Sequence, residues 1–434
     1  MSSSERRGMA MHTKVLLGLL LGAICGAIAQ QMAWPFLEGL VTNVMKPIGA
    51  IFLNLIFMIV VPLLFSALVL GVSELGDAAK IGRVGMKCLA FTILFSGIAV
   101  AIGVGMVNTF KPGSGFTPEQ VQKLETTIGK KADATKSVEK SKEVKSAADT
   151  IVELIPRNPL EQAVKALDGG LLPFMVFALI FGIALAGVEP ERAAPVKAFL
   201  DGLFAVSLRI IDMAMKLAPI GVFALVFSVA ATLGPEAFIA LGKYVVVVMV
   251  ALLIHQFVVY SVMLRVFAKR NPWQFFRQIR SVMLTAFSTS SSNATLPTAL
   301  KVAEEEVGLP PTISRFVLTV GATANQNGTA LFEGITILFL AQMFGVSLDL
   351  GQQLTVMGLA ILAGVGTAGV PGGAWPMIAL ILVKIGVPAE AIGICLGVDR
   401  ILDMSRTVLN VTGDIAIAAC VAGSERELPA PIEA

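Results

Sequence analysis

The chain has 434 residues, 56% of them hydrophobic and 15% charged, with a formal net charge of +3. A mean hydropathy of +0.82 is too high for a single water-covered core, and apolar windows of membrane-spanning length recur, so a polytopic membrane protein is expected. The basic residues form no nucleic-acid stripe, which excludes a nucleic-acid partner.

The first apolar run, 15–29, continues patchily to 36. No A-x-A cleavage site follows residues 1–14, so it reads as a retained helix rather than a signal peptide. Apolar windows predict eight helices, over 14–33, 46–72, 83–110, 170–189, 193–233, 236–268, 313–344 and 390–422. Pro219 predicts a break in the fifth and Pro235 its end. Arg6, Arg7 and Lys14, with Lys80, Arg83 and Lys87, put the N-terminus and the loop after helix two on the cytoplasmic side. The segment 111–165 then lies outside. Its middle, 121–150, is dominated by Lys, Glu, Ser, Ala and Thr and reads as a solvated loop or a short polar helix. Cys25, Cys88, Cys395 and Cys420 sit in apolar segments without C-x-x-C spacing and are expected to be reduced packing residues. His255, among Leu252, Leu253, Ile254 and Phe257, reads as a core histidine.

Two segments interrupt this pattern. Seven of the eight residues in 288–295 (S-T-S-S-S-N-A-T) carry hydroxyls or amides, and 364–373 (G-V-G-T-A-G-V-P-G-G) is glycine-rich between short apolar arms. At about 1.5 Å per residue such arms cannot cross roughly 30 Å of hydrocarbon, so two re-entrant helical hairpins are expected, over about 271–308 and 348–385. Each precedes an unusually polar helix. Interrupted segments at corresponding positions of two halves point to inverted repeats and a midplane binding site.

In helix seven, six polar side chains fall within 323–333, from Thr323 to Glu333. Gly328 among them predicts local unwinding that frees carbonyls, against the plainer reading of a polar packing seam. In helix eight, Asp399, Asp403, Arg406, Asn410 and Asp414 fall within an arc of roughly 80° at 100° per residue. An ionised side chain at mid-bilayer costs about 2.5–3.5 kcal/mol on insertion scales, so a file of them marks a polar path or site. One guanidinium among carboxylates and an amide suits a small ligand bearing both charge signs. The plainer alternative is that Asp403 and Arg406 bridge each other at i, i+3, which can also be the substrate-free arrangement.

The strings S-S-S-N-A-T-L-P, N-Q-N-G-T-A-L-F-E, G-T-A-G-V-P-G and D-R-I-L-D-M-S-R-T-V-L-N-V-T-G-D resemble the glutamate transporter, or dicarboxylate/amino acid:cation symporter, family over about 14–424. The resemblance implies a homotrimeric elevator transporter in a bacterial inner membrane. Residues 1–82 and 166–234 would form a trimerisation scaffold. Residues 83–110 and 235–424 would form the moving transport domain, with 111–165 outside and 425–434 a cytoplasmic tail. It implies that Arg406 pairs with a substrate side-chain carboxylate, Asp403 with its α-amino group and Asn410 with its α-carboxylate. Thr407 and Thr329 would add hydroxyl contacts, and backbone at Ser291, Val370, Pro371 and Gly372 would close over the ligand. A planar guanidinium fork matches a carboxylate bidentately. A buried Asp403 disfavours a plain C4-dicarboxylate, and Arg406 disfavours neutral amino acids, so aspartate or glutamate is expected.

The chain also departs from that family. Sodium-coupled members carry N-M-D-G-T where Asn325-Gln326-Asn327-Gly328-Thr329 stands here, so Asn327 lacks the charge that offsets dehydration of a hard cation. Thr92 and Phe95 replace a tyrosine and a threonine ligand, while Ser96 remains. One sodium site therefore looks dismantled. Asn325, Asn410, Asp414 and the Gly321 carbonyl can build another, and a third is open near Thr323 and Thr367. Glu333 stands where proton-cotransporting members hold a glutamate, and a carboxyl in an apolar interior crosses most cheaply as the neutral acid. A co-transported proton is favoured over sodium, with no other cofactor. The competing readings are a sodium-coupled symporter, a C4-dicarboxylate symporter and an anion channel. An intramembrane enzyme using Ser290–Ser292 is disfavoured, because none of the four motifs holds a histidine or lysine.

Overall fold

The computed structural model describes residues 11–32, 36–59, 61–66, 68–70, 73, 83–128, 155–165, 171–233, 235–366 and 372–425. Among the described residues every regular element is helical. Among the described residues six helices are long and apolar enough to cross a membrane: Thr13–Gln31, Leu37–Leu70, Arg83–Phe110, Pro190–Thr232, Phe238–Ala268 and Asp399–Glu425. The predicted fourth helix is the shorter Leu171–Gly187, and the seventh is two pieces. Arg83–Phe110 coincides with the predicted third helix.

Helix one, Met11–Gln31, lies along helix five, Pro190–Leu233. Gly18, Gly22 and Gly26 face the backbone of Pro219, Phe223 and Phe227, both sets repeating every four residues. A Cβ on Gly22 would stand 2.6 Å from the Phe223 carbonyl oxygen. Small residues at this spacing let membrane helices approach backbone to backbone, where dispersion rather than water drives packing. The predicted break at Pro219 is absent: helix five runs unbroken for 44 residues through Pro195 and Pro219. Packing against helix one holds Pro219 in place, and membrane helices tolerate the missing N–H.

Helix six continues from Pro235 to Ala268 through two π-helical turns, His255–Val259 and Leu264–Ala268. From it, Gln256 Nε2 donates to Thr412 Oγ1 at 3.0 Å and Tyr260 Oη to the Leu409 carbonyl at 3.0 Å, tying helix six to helix eight. His255 is fully buried with its ring edge on Tyr260, as a core residue. Cys88, Cys395 and Cys420 are buried, Cys25 faces outward, and all four are free.

The first hairpin is present, with arms Arg280–Thr289 and Ser292–Glu305 meeting at Ser290, whose φ is +52°. In the second, Leu350–Gly366 enters and Trp375–Lys384 returns; the predicted tip positions Thr367, Val370 and Pro371 lie outside the described residues. Within 111–165, residues 118–128 are helical, whereas most of 121–150 and the tail beyond 425 lie outside the description.

Two boundaries move. Helix two begins at Leu37 rather than 46, and helix eight at Asp399 rather than 390, after a 3-10 turn at Ala389–Ile394. Helix eight differs from every other span: 83% of its apolar window is buried by protein, against 35–47% for the rest. Its polar stripe therefore faces protein, not lipid.

Candidate functional site

Helix seven supplies one wall. It stops at Ala324 and restarts at Asn327, with Asn325 (φ −104°, ψ 83°) and Gln326 (φ −110°, ψ 55°) non-helical between. The unwinding thus falls on Asn325–Gln326, not on Gly328, which is helical. Gly328 serves close approach instead: a Cβ there would lie 2.5 Å from the Arg406 carbonyl oxygen. A restarting helix exposes N–H groups without intrahelical partners. Asn410 Oδ1, from helix eight, accepts from Gly328 N at 2.7 Å and Thr329 N at 3.4 Å, an N-cap delivered from another element. Its Nδ2 donates to Gln326 Oε1 at 2.6 Å and Thr329 Oγ1 at 3.1 Å.

One turn along helix eight, Arg406 Nη2 meets Asp403 Oδ1 at 2.7 Å and Nη1 meets Asp399 Oδ1 at 3.0 Å. Trp375 Nε1, from the returning arm of hairpin two, donates to the other Asp399 oxygen at 2.7 Å. The Arg406 guanidinium carbon stands 4.3 Å over the Phe332 ring, which meets Trp375 edge-on at 5.5 Å. Arg406 is 2% exposed, so its two carboxylates and the aromatic face offset the cost of desolvation. The i, i+3 bridge between Asp403 and Arg406 weighed from the sequence is therefore present. Thr407 Oγ1 donates back to the Asp403 carbonyl at 2.8 Å, and Thr329 Oγ1 to Gln326 Oε1 at 3.2 Å.

A third cluster lies deeper along helix eight. Asn325 Nδ2 donates to Asp414 Oδ1 at 2.7 Å, and Gly321 abuts the same carboxylate. Asn410, grouped with these three from sequence, turns to Gln326 and Thr329 instead. Beside them, Ser96 Oγ donates to Asn327 Oδ1 at 2.7 Å, Asn327 Nδ2 to Tyr260 Oη at 3.2 Å, and Tyr260 onward to Leu409 O. Every member of that chain is neutral and bonded to the next. Glu333 is fully buried, one residue beyond the Phe332 ring that supports Arg406.

At the tip of hairpin one, Ser291 Oγ accepts from Ala294 N at 3.2 Å, and its carbonyl accepts from Thr295 N and Oγ1. Gly372, beyond the tip of hairpin two, has φ +79° and lies against Met215 and Ile211 of helix five. Sequence reasoning placed Asp399 in the stripe without a role, although its position seven residues before Arg406 put both on one face. Gln326, Phe332 and Trp375 went unassigned. For Trp375 there was no local signal, because it reaches Asp399 only through the return of a hairpin.

Apolar helices of spanning length packed around a buried charged cluster, with a broken helix, are those of a polytopic membrane transporter. The model of the sodium:dicarboxylate symporter family matches residues 11–424, and the chain belongs to that family. A proton/sodium-glutamate symport protein of Bacillus subtilis (strain 168) is 35% identical over 419 residues, 96% of this chain and 93% of that one. A proton/glutamate-aspartate symporter of Escherichia coli (strain K12) is 32% identical, over 95% of this chain and 91% of its own. Neutral amino acid transporter B(0) of Mus musculus is also 32% identical, over 84% and 72%.

Proposed function

We propose that the protein is a secondary active symporter that imports aspartate or glutamate with a proton, as a homotrimer in the bacterial inner membrane. The carrying observation is the buried Arg406–Asp403 pair at 2.7 Å beside the Asn410–Thr329–Gln326 cluster. An incoming zwitterion with a second carboxylate can replace that internal bridge. Arg406 takes the side-chain carboxylate, Asp403 turns to the ammonium, and Asn410 with Thr329 receives the α-carboxylate. The similarity to a neutral amino acid transporter means that family membership alone leaves the substrate's charge open. Arg406 argues for the acidic class, because a neutral substrate leaves a buried cation to its internal partners alone.

Glu333 carries the coupling proton and crosses as a neutral acid. The closed neutral chain from Ser96 through Asn327 and Tyr260 supports this reading, because the position of the lost sodium-site aspartate is engaged in hydrogen bonds without any negative charge. Asp414 with Asn325 and Gly321 offers oxygen ligands for one cation as co-substrate. Helices three, six, seven and eight and both hairpins move as one body against helices one, two, four and five.

The experiment is L-aspartate and L-glutamate uptake into proteoliposomes under an inward proton gradient, with sodium replaced by choline. Accumulation is expected for the parent, and Arg406→Ala should abolish it without lowering the amount of reconstituted protein. Uptake that requires sodium ends the proton assignment, and unchanged uptake by the variant ends the substrate assignment.

A further inference from the structure

The end of helix six carries a feature that transport chemistry does not use. Lys269 sits in the left-handed region, φ +52°, and turns the chain sharply from helix six into hairpin one. The turn gathers Arg265, Lys269, Arg270 and Asn271 around a crevice of about 320 Å³. Its geometry is pinned: Arg270 N donates to the Leu264 carbonyl at 3.1 Å and Arg270 Nη1 to the Val307 carbonyl at 2.6 Å. Arg270 is partly buried, and its Nε has no hydrogen-bond partner. Among the described residues no carboxylate pairs with these three cations. Two carboxylates of the neighbouring hairpin are engaged elsewhere, Glu304 with Arg315 at 2.9 Å and Glu305 with Lys301 at 3.9 Å.

We propose that this crevice binds the phosphate headgroup of an anionic phospholipid. Three unpaired cations on a fixed turn offer charge and donors to one phosphate. Basic pockets at the cytoplasmic ends of membrane helices are suited to that chemistry. The crevice lies on the face expected to be cytoplasmic. Phe267 and Ala268 pack against Gly423, and the adjoining Glu425 pairs with Arg83 at 2.7 Å and Lys87 at 2.6 Å. A lipid is favoured over a soluble phosphate by what surrounds the cations. Val258, Val262 and Val266 form an exposed apolar file one turn apart along helix six, a path for acyl chains. Trp273, 82% exposed, sits just past the turn, where an amphipathic ring marks the headgroup level.

The test uses the full chain purified in a neutral detergent, with phosphatidylglycerol and phosphatidylcholine of identical acyl chains as probes. Retention is read by native mass spectrometry and by thermal protection. The parent should retain phosphatidylglycerol in preference, and Arg265→Gln with Lys269→Gln should lower its affinity on the order of 30-fold, at roughly fivefold per cation. Arg270 is left intact because it also holds the Val307 carbonyl. The charge-preserving pair Arg265→Lys with Lys269→Arg should retain the lipid, which separates loss of charge from misfolding. Equal retention of both lipids by the parent, or an unaffected glutamine pair, overturns the proposal. So does inorganic phosphate that matches phosphatidylglycerol in protection, which would assign the crevice to a soluble anion.

Discussion

The two carboxylates around Arg406 are not equivalent. Asp399 is held from its far side by the Trp375 N–H, whereas among the described residues the Asp403 carboxylate reaches only Arg406 and, at 4.0 Å, Arg400. On the proposed mechanism Asp399 therefore stays on the guanidinium while Asp403 exchanges it for a substrate ammonium. Trp375→Phe keeps a ring against Phe332 and removes the single donor. A hydrogen bond to a charged group is worth about 1.5–3 kcal/mol, so concentration-dependent uptake should show a KM for acidic substrates raised roughly tenfold or more. An unchanged KM would remove Trp375 from the site. Glu333→Gln keeps shape but cannot exchange a proton. Accumulation driven by a proton gradient should fall to background while exchange of internal for external labelled substrate persists. Loss of both would point to a structural role for Glu333 instead.

Among the elements, the seam between helices one and five and the break in helix seven serve opposite ends. The seam is rigid because backbone meets backbone. Gly22→Leu forces a side chain toward the Phe223 carbonyl, which cannot rotate away. Overpacking of this kind costs about 1–3 kcal/mol, so the thermal unfolding midpoint in detergent should drop by several degrees. The break in helix seven, by contrast, stays polar and depends on helix eight for its cap. Its position was legible only to within a few residues. A glycine is an obvious place to unwind a helix, yet Gly328 was needed to admit the Arg406 backbone, and the two amides before it left the helical conformation.

Taken as a whole, the molecule joins the proposed scaffold to the proposed moving body through contacts such as Leu19 of helix one with Gly397 before helix eight. A Cβ on Gly397 would stand 3.0 Å from that of Leu19, and parting by about half an ångström brings the pair into the range of about 3.5–4.5 Å that a disulfide needs. With the four native cysteines replaced, Leu19→Cys with Gly397→Cys should cross-link on oxidation. Transport should stop, substrate binding should remain, and a reductant should restore flux. Full transport by the cross-linked protein would exclude the elevator movement.

The sequence by itself determined the class, the span of helix three and the first hairpin, because hydrophobic length and hydroxyl clustering are local quantities. It also placed Asp399, Asp403, Arg406, Asn410 and Asp414 on one face, since helical spacing is fixed by backbone geometry. Tertiary structure decided which partner each of them meets. Asn410 turned to Gln326 rather than to Asp414, and Asp399 gained Trp375 from 24 residues upstream. Helix five ran through Pro219 against the local rule. A buried polar group must find a partner wherever packing supplies one, and that choice depends on neighbours no single stretch of sequence contains.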